Sequence, residues 1–265
     1  LIKSLCNGVA AQLDSDSVVP CSLKNVTGAE ITDAFIHWQD TQTGPWAACL
    51  NYMDAHTPYV SDPQYSIEAT SEECYLAESI NNYVWEFITE TRPLTDLSLL
   101  EAPYNDCIRQ VDAEVGRLIQ ELADHDVLEQ TLVVVTADHG EGFGEPGTAR
   151  SVPSIGHGGT GGPEEGVLRI PLVVKFPNQT ESVIVEKPAS LTRFPCVVRT
   201  VLNGDHDPLA FVPDGFALAS GLGLSPSEME AKPASVTASE YDQPFRAAYE
   251  WTEQDELRKH VVCGG

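Results

Sequence analysis

Residues 131–176 read TLVVVTADHGEGFGEPGTARSVPSIGHGGTGGPEEGVLRIPLVVKF, and the way this stretch changes character limits what the chain can fold into. The apolar, β-branched run at 132–136 stops abruptly at Ala137-Asp138-His139-Gly140-Glu141. An apolar run without alternation predicts a strand covered on both faces, the habit of parallel sheets. Open α/β sheets place their ligands at the carboxyl edge of such strands. Asp138 and His139 are therefore expected at the mouth of a cleft. A second imidazole follows a Gly-rich loop, in Gly156-His157-Gly158-Gly159, and residues 169–176 supply another β-rich run. Adjacent Asp and His, with a further His on a Gly-rich loop, suit a metal-assisted hydrolase. By residue type alone, an Asp capping a turn beside a partly exposed His fits Asp138 and His139 equally well.

The remaining pattern predicts an α/β chain with a mostly parallel sheet flanked by helices. A T-x-x-E capping box at Thr27 opens a helix reaching about residue 42, with Ile31, Phe35 and Trp38 as its apolar stripe. Residues 46–53 read as a short buried strand closed by the loop at 54–59, and residues 61–100 as partly helical. Tyr104, Ile108, Val111, Val115, Leu118, Ile119 and Leu122 give one wide apolar helix face, expected to pack against the sheet. A strand at 183–186, a helix at 189–202 and a strand at 235–240 complete the reading. Residues 1–28 look peripheral, 29–204 form the α/β domain, and 205–265 continue the same fold.

Forty acidic residues against 15 basic give a formal charge of −25. Hydrophobic content of 42% nevertheless indicates a globular chain rather than an acidic disordered one. The acid must cover a folded surface, as suits a cytoplasm rich in salt, where screening removes much of the self-repulsion. An ordinary acidic protein is the plainer alternative. Phosphate would be repelled across most of this surface, so nucleic acid is not expected as a partner. The seven cysteines show no CxxC spacing and read as structural thiols, with Cys49 and Cys107 on apolar faces. No apolar run reaches membrane-spanning length, and no secretory signal opens the chain; a cytoplasmic location is expected.

Four segments in order carry a resemblance to a known family. They are Cys49-Leu-Asn-Tyr-Met-Asp-Ala-His-Thr-Pro-Tyr59, the helical stretch 104–130, the strand ending in ADHGE, and GHG followed by EE-x-x-x-R-I-P-L-V-V. Together they resemble the central and C-terminal part of the sulfatases, within the alkaline-phosphatase superfamily, over about residues 30–204. The resemblance implies that Asp138 and His139 bind a divalent cation. Ca²⁺ is the first choice, with Mn²⁺, Mg²⁺ or Zn²⁺ as alternatives by donor type. It implies that His157 contacts the ester, as a donor or cationic imidazole on a flexible Gly-rich loop can. His56 would contact the leaving-group oxygen as general acid or donor. For both, a merely solvated loop His is the structural alternative. Glu164, Glu165 and Arg169 are expected to form an ion-paired frame behind the loop, which is one residue longer than the family's form. The substrate implied is a small-molecule or glycan sulfate ester.

The family's nucleophile segment, C-x-P-x-R, and its early Asp pair do not occur in these 265 residues. With a start at Leu1 and an end at Cys263-Gly-Gly, the chain is expected to be a fragment, its fold incomplete at the N-terminus. A phosphodiesterase, phosphonate hydrolase or phosphotransferase of the same superfamily is the nearest alternative. A non-catalytic anion- or metal-binding protein that keeps the fold is the other. Substrate identity and oligomeric state have no legible signal.

Overall fold

The computed structural model describes residues 5–6, 9–10, 26–80, 83–147, 149, 152–252, 254 and 256–264. Most of the segment expected to be peripheral, 1–28, lies outside the described residues. Its described part includes β1 (Leu5–Cys6) and β2 (Val9–Ala10), paired antiparallel. The helices of the first half are α1 (Gly28–Asp40), α2 (Ser71–Ser79), α3 (Tyr83–Ile88) and α4 (Glu101–Asp124). The second half runs β3 (Val133–Thr136), β4 (Gly142–Glu145), β5 (Ser154–Gly156), α5 (Glu165–Leu168), β6 (Leu172–Lys175), α6 (Phe194–Leu202), β7 (Ala217–Gly221), α7 (Pro226–Ala231), β8 (Phe245–Trp251) and β9 (Leu257–Cys263). The chain forms two compact units, residues 1–81 with 98–127, and residues 82–97 with 128–265.

In the first unit, α1 starts where the capping box places it. Thr27 N donates to Glu30 Oε2 at 2.9 Å, and Glu30 N donates to the Thr27 hydroxyl at 3.4 Å. Ile31 and Phe35 are buried, and Phe35 meets Trp46 edge-on at 5.6 Å. The long helix α4 packs on α1 and α2 rather than on a sheet of its unit. Half of its buried residues are polar: Asp106, Gln110 and Glu114 lie there beside Pro103, Cys107 and Leu122. The reason is the neighbour. Irregular backbone at 62–69 presents N–H groups that need acceptors. Asp106 accepts from Ile67 and Glu68 at 3.1 Å and from Ala69 at 3.0 Å, and Arg109 reaches it at 2.6 Å. Gln110 Oε1 accepts from Asp62 N at 2.8 Å. The expected apolar stripe is mostly half-buried, with Ile108 exposed.

Residues 46–53 alternate between exposed and half-buried and join no strand ladder among the described residues, which corrects the expected buried strand. Cys49 is exposed, not on an apolar face, whereas Cys107 is buried. Burial first, then the charges of Asp54, Asp106 and Cys74, push the Cys107 thiol up to about 12, so it is an inert hydrophobe.

The second unit is built on β3 and β6. They pair antiparallel, Val133 opposite Lys175 and Thr136 opposite Leu172. The α/β class stands, but the pairings among the described residues are antiparallel, not parallel. The connection explains β6: residues 137–171 hold the β4–β5 hairpin and the one-turn α5, not a long crossover helix. Leu132, Val134, Leu172 and Val174 point to one face and pack with Phe176, Val197 and Phe211, while Val173 on the other face is exposed. A second core joins Trp85 of α3 to Leu224 and Tyr241.

α6 follows a short 3₁₀ turn at Leu191–Arg193 and tolerates Pro195 because it falls in the first turn, where a missing N–H is harmless. The strand expected at 183–186 does not form, and 235–240 holds a 3₁₀ turn at Ala238–Glu240 instead. The antiparallel sheet β7–β8–β9 was not foreseen. Charged residues within β8 and β9 interrupt the hydrophobic pattern that marks strands. No helix among the described residues is long and apolar enough to cross a membrane.

Candidate active site

The Asp138–His139 step sits just past β3, in the second unit. Thr136 closes the strand by donating its hydroxyl to Pro171 O at 2.8 Å. Gly140 N then donates to Val167 O at 2.8 Å. A Cβ at Gly140 would lie 1.9 Å from Gly166 O, so only glycine lets α5 approach so closely. The Asp138 side chain is 88% exposed, with Oδ1 3.0 Å from His139 N and 3.6 Å from His139 Nε2. His139 Nδ1 stands 2.9 Å from Gly140 O. A carbonyl can only accept, so Nδ1 carries the proton and the neutral ring keeps its lone pair on Nε2. Asp138 Oδ1 and His139 Nε2 are thus neighbouring donors to a cation.

His157 stacks on His139, with centroids 4.1 Å apart and planes 13° from parallel. Its Nδ1 lies 3.0 Å from Glu141 Oε2, a carboxylate only 4% exposed. That hydrogen bond raises the His157 pKa above its ordinary value against the opposing effect of burial, and the charges of Glu141, Asp138 and Glu228 add to it. The loop behind it is fixed by Ser154, whose hydroxyl donates to Gly161 O at 2.8 Å, and by Thr160, whose hydroxyl donates to Ile155 O at 2.7 Å.

The expected frame of Glu164, Glu165 and Arg169 takes a different form. Glu165 Oε1 receives Lys259 Nζ at 2.5 Å and the Tyr249 hydroxyl at 2.8 Å, while Arg169 makes no ion pair among the described residues. Glu164 is buried and accepts from Ala149 N at 3.4 Å.

The structure therefore brings Asp138, His139 and His157 together and adds Glu141 to them. Glu141 stands in the same ADHGE string, but no local pattern marks a Glu after glycine as buried. Glu228 had only its S-x-x-E helix-start signal, which says nothing of a partner far back in the chain. His56 belongs to the first unit. It is exposed, donates Nδ1–H to Thr57 O at 2.8 Å, and has its backbone N–H on Met53 O at 3.0 Å. The neutral ring thus keeps its lone pair on Nε2 as well. Asp54 anchors this loop: its Oδ1 accepts from Gly28 N at 3.0 Å and from Gln110 Nε2 at 2.5 Å.

No group of three or more His, Cys, Asp or Glu side chains is placed to hold a metal among the described residues. Asp138 and His139 fit two positions of a coordination shell. A hard cation such as Ca²⁺ takes six to eight oxygen ligands, far more than the one oxygen and one nitrogen that this pair offers.

The sulfatase family model matches residues 5–200, well over half of the chain. The chain belongs to the sulfatase family. It is 35% identical to steryl-sulfatase of Mus musculus over 196 residues, 71% of this chain and 27% of that protein. Over 186 residues it is 23% identical to the ulvan-active sulfatase of Formosa agariphila, 59% of this chain and 28% of that protein. This sulfatase-family chain thus spans less than a third of the length of these relatives. Its fold is shared with a phosphonate monoester hydrolase of Agrobacterium radiobacter, at a TM-score of 0.56 and 18% identity, covering 92% of this chain and 56% of that one. The phosphonate monoester hydrolase of Silicibacter pomeroyi follows at 0.52 and 16%, covering 89% and 53%. The chain thus has the α/β fold of these two hydrolases.

Proposed function

We propose that the chain carries part of the active site of a metal-dependent sulfuric ester hydrolase, acting on a small-molecule or glycan sulfate, with the nucleophile supplied from outside these 265 residues. The stacked His139–His157 pair, with Asp138 beside one ring and buried Glu141 behind the other, carries the reading. Asp138 Oδ1 and His139 Nε2 would hold the divalent cation, which as a Lewis acid polarises an ester oxygen. Glu141 holds His157 through Nδ1, and the other ring nitrogen would serve as a donor to charge developing on the sulfuryl oxygens. His56 would donate a proton to the departing alkoxide or phenoxide from Nε2 when doubly protonated.

Two relatives bearing sulfatase names favour sulfate over phosphate or phosphonate. The reading is tested on the complete enzyme by turnover of an aryl sulfate against the matching aryl phosphate. Faster phosphate turnover would move the assignment to phosphoryl chemistry. His157→Ala is expected to lower sulfate turnover by about 10²- to 10³-fold, the usual loss for an oxyanion donor.

A further inference from the structure

We infer that Glu228 is a positioning residue for His157, reaching the site from beyond the span that matches the family. The inference rests on the reading of His157 as the group that meets the ester. Strand β5 ends at Gly156, and His157 is followed by the Gly158–Gly159 turn. Gly159 N donates to Glu228 Oε1 at 3.0 Å. A Cβ on Gly158 would stand 1.9 Å from that oxygen and 2.7 Å from Glu228 Cδ, so the carboxylate lies hard against the turn.

The carboxylate is itself held. Its Oε2 accepts from Ser225 N at 2.6 Å, and Glu228 N donates to Ser225 Oγ at 3.2 Å, the capping box that opens α7. Just before that cap, Leu224 is buried with Trp85 and Tyr241, and its N–H donates to Asp242 Oδ1 at 3.1 Å. The backbone of Gly223 and Leu224 would meet a Cβ on Gly159 at 2.6 Å. Glu228 is therefore a rigid strut between a packed core and the turn after His157.

The far end of the same loop is tied from β8 and β9. Lys259 Nζ donates to Pro163 O at 2.5 Å and to Glu165 Oε1 at 2.5 Å, and Tyr249 donates its hydroxyl to Glu165 at 2.8 Å. The family match ends at residue 200, yet all three braces lie after it. Near-attack geometry is strict: a misplacement of about 1 Å costs on the order of 100-fold in rate. A strut that fixes the turn next to the imidazole thus acts on catalysis without touching substrate.

Three variants test this. Glu228→Ala removes the strut. Gly158→Ala displaces the carboxylate from the turn while leaving the Ser225 hydroxyl to cap Glu228 N, and its backbone is not in the left-handed region. Glu228→Gln keeps an oxygen that can accept from Gly159. In the 265-residue chain, Glu228→Ala and Gly158→Ala are expected to speed Gly159 amide exchange by about tenfold or more, since a hydrogen bond to a charged acceptor is lost. They should also shift the His157 ring signals in NMR while β3 and β6 amides keep their protection. Glu228→Gln should retain most of the wild-type behaviour. In the complete enzyme, kcat should fall with KM little changed. Unmoved His157 signals in both Ala variants, or a Gln variant no better than Ala, would overturn the inference and leave Glu228 as a helix cap. Moved ring signals with unchanged turnover would uphold the strut and remove the catalytic reading of His157 instead.

Discussion

Because the Gly140 carbonyl can only accept a hydrogen bond, its 2.9 Å contact places the proton on His139 Nδ1 and leaves Nε2 next to Asp138 Oδ1. Cation binding should then depend on both side chains. Asp138→Ala is expected to weaken Ca²⁺ or Mn²⁺ binding by at least about tenfold, since even outer-shell partners of a metal change affinity by that much. Isothermal titration of the chain measures it, and equal affinities for wild type and variant would remove Asp138 from the site. Gly140 makes a second residue-level prediction. The atom that a new Cβ would meet is a backbone oxygen, which cannot rotate aside. Gly140→Ala should therefore cost about 1–3 kcal/mol or more, the usual range for overpacking, read by chemical denaturation. The motif made Asp138 and His139 legible because strand, carboxylate and imidazole follow one another directly. Glu141 is two residues on and buried, and burial of a loop Glu is a tertiary outcome that no local pattern announces.

Helix α4 shows what was legible among the elements and what was not. Its existence and near-complete extent followed from three- and four-residue spacing. Its buried side did not, because that side is chosen by what it meets, an irregular segment whose N–H groups recruit Asp106 and Gln110. The strands β3 and β6 were read correctly, but a run of valines does not encode parallel or antiparallel pairing. In β8 and β9, Arg246, Glu250, Arg258 and Lys259 break the apolar pattern and hid a three-stranded sheet. Asp106 adds an acid dependence to the stability of its unit. Burial alone would raise its carboxyl, but the N–H groups of Ala69, Glu68 and Ile67, with Arg109, outweigh that and hold it below the ordinary value. The stabilisation is present above the unfolded carboxylate pKa of about 3.9 and is lost as pH falls through the lower folded value. Melting temperature should drop steeply below about pH 4 in the wild type. In Asp106→Asn that carboxylate's share of the acid dependence should vanish, from a lower starting point. Asp106→Ala should cost about 1–3 kcal/mol for each of the Ile67, Glu68 and Ala69 N–H groups that is left unpaired. An Asn variant as stable as wild type at neutral pH would show that the charge contributes little.

At the scale of the whole molecule, the formal charge of −25 dominates. Screening shortens from about 30 Å at 0.01 M salt to about 3 Å at 1 M. Melting temperature should therefore rise between low and molar KCl if the acidic surface is adapted to salt. A flat response would return the chain to the ordinary acidic class. The struts on the His157 loop carry a different consequence, one of timing. Roughly 100 residues separate His157 from Lys259, and ribosomes add about 5–20 residues per second. The nascent chain thus carries Asp138, His139, Glu141 and His157 for several seconds before the residues that steady them have been made. A polypeptide released before Glu228 would contain every feature by which the sequence announces its chemistry, with the loop that delivers His157 still unsupported.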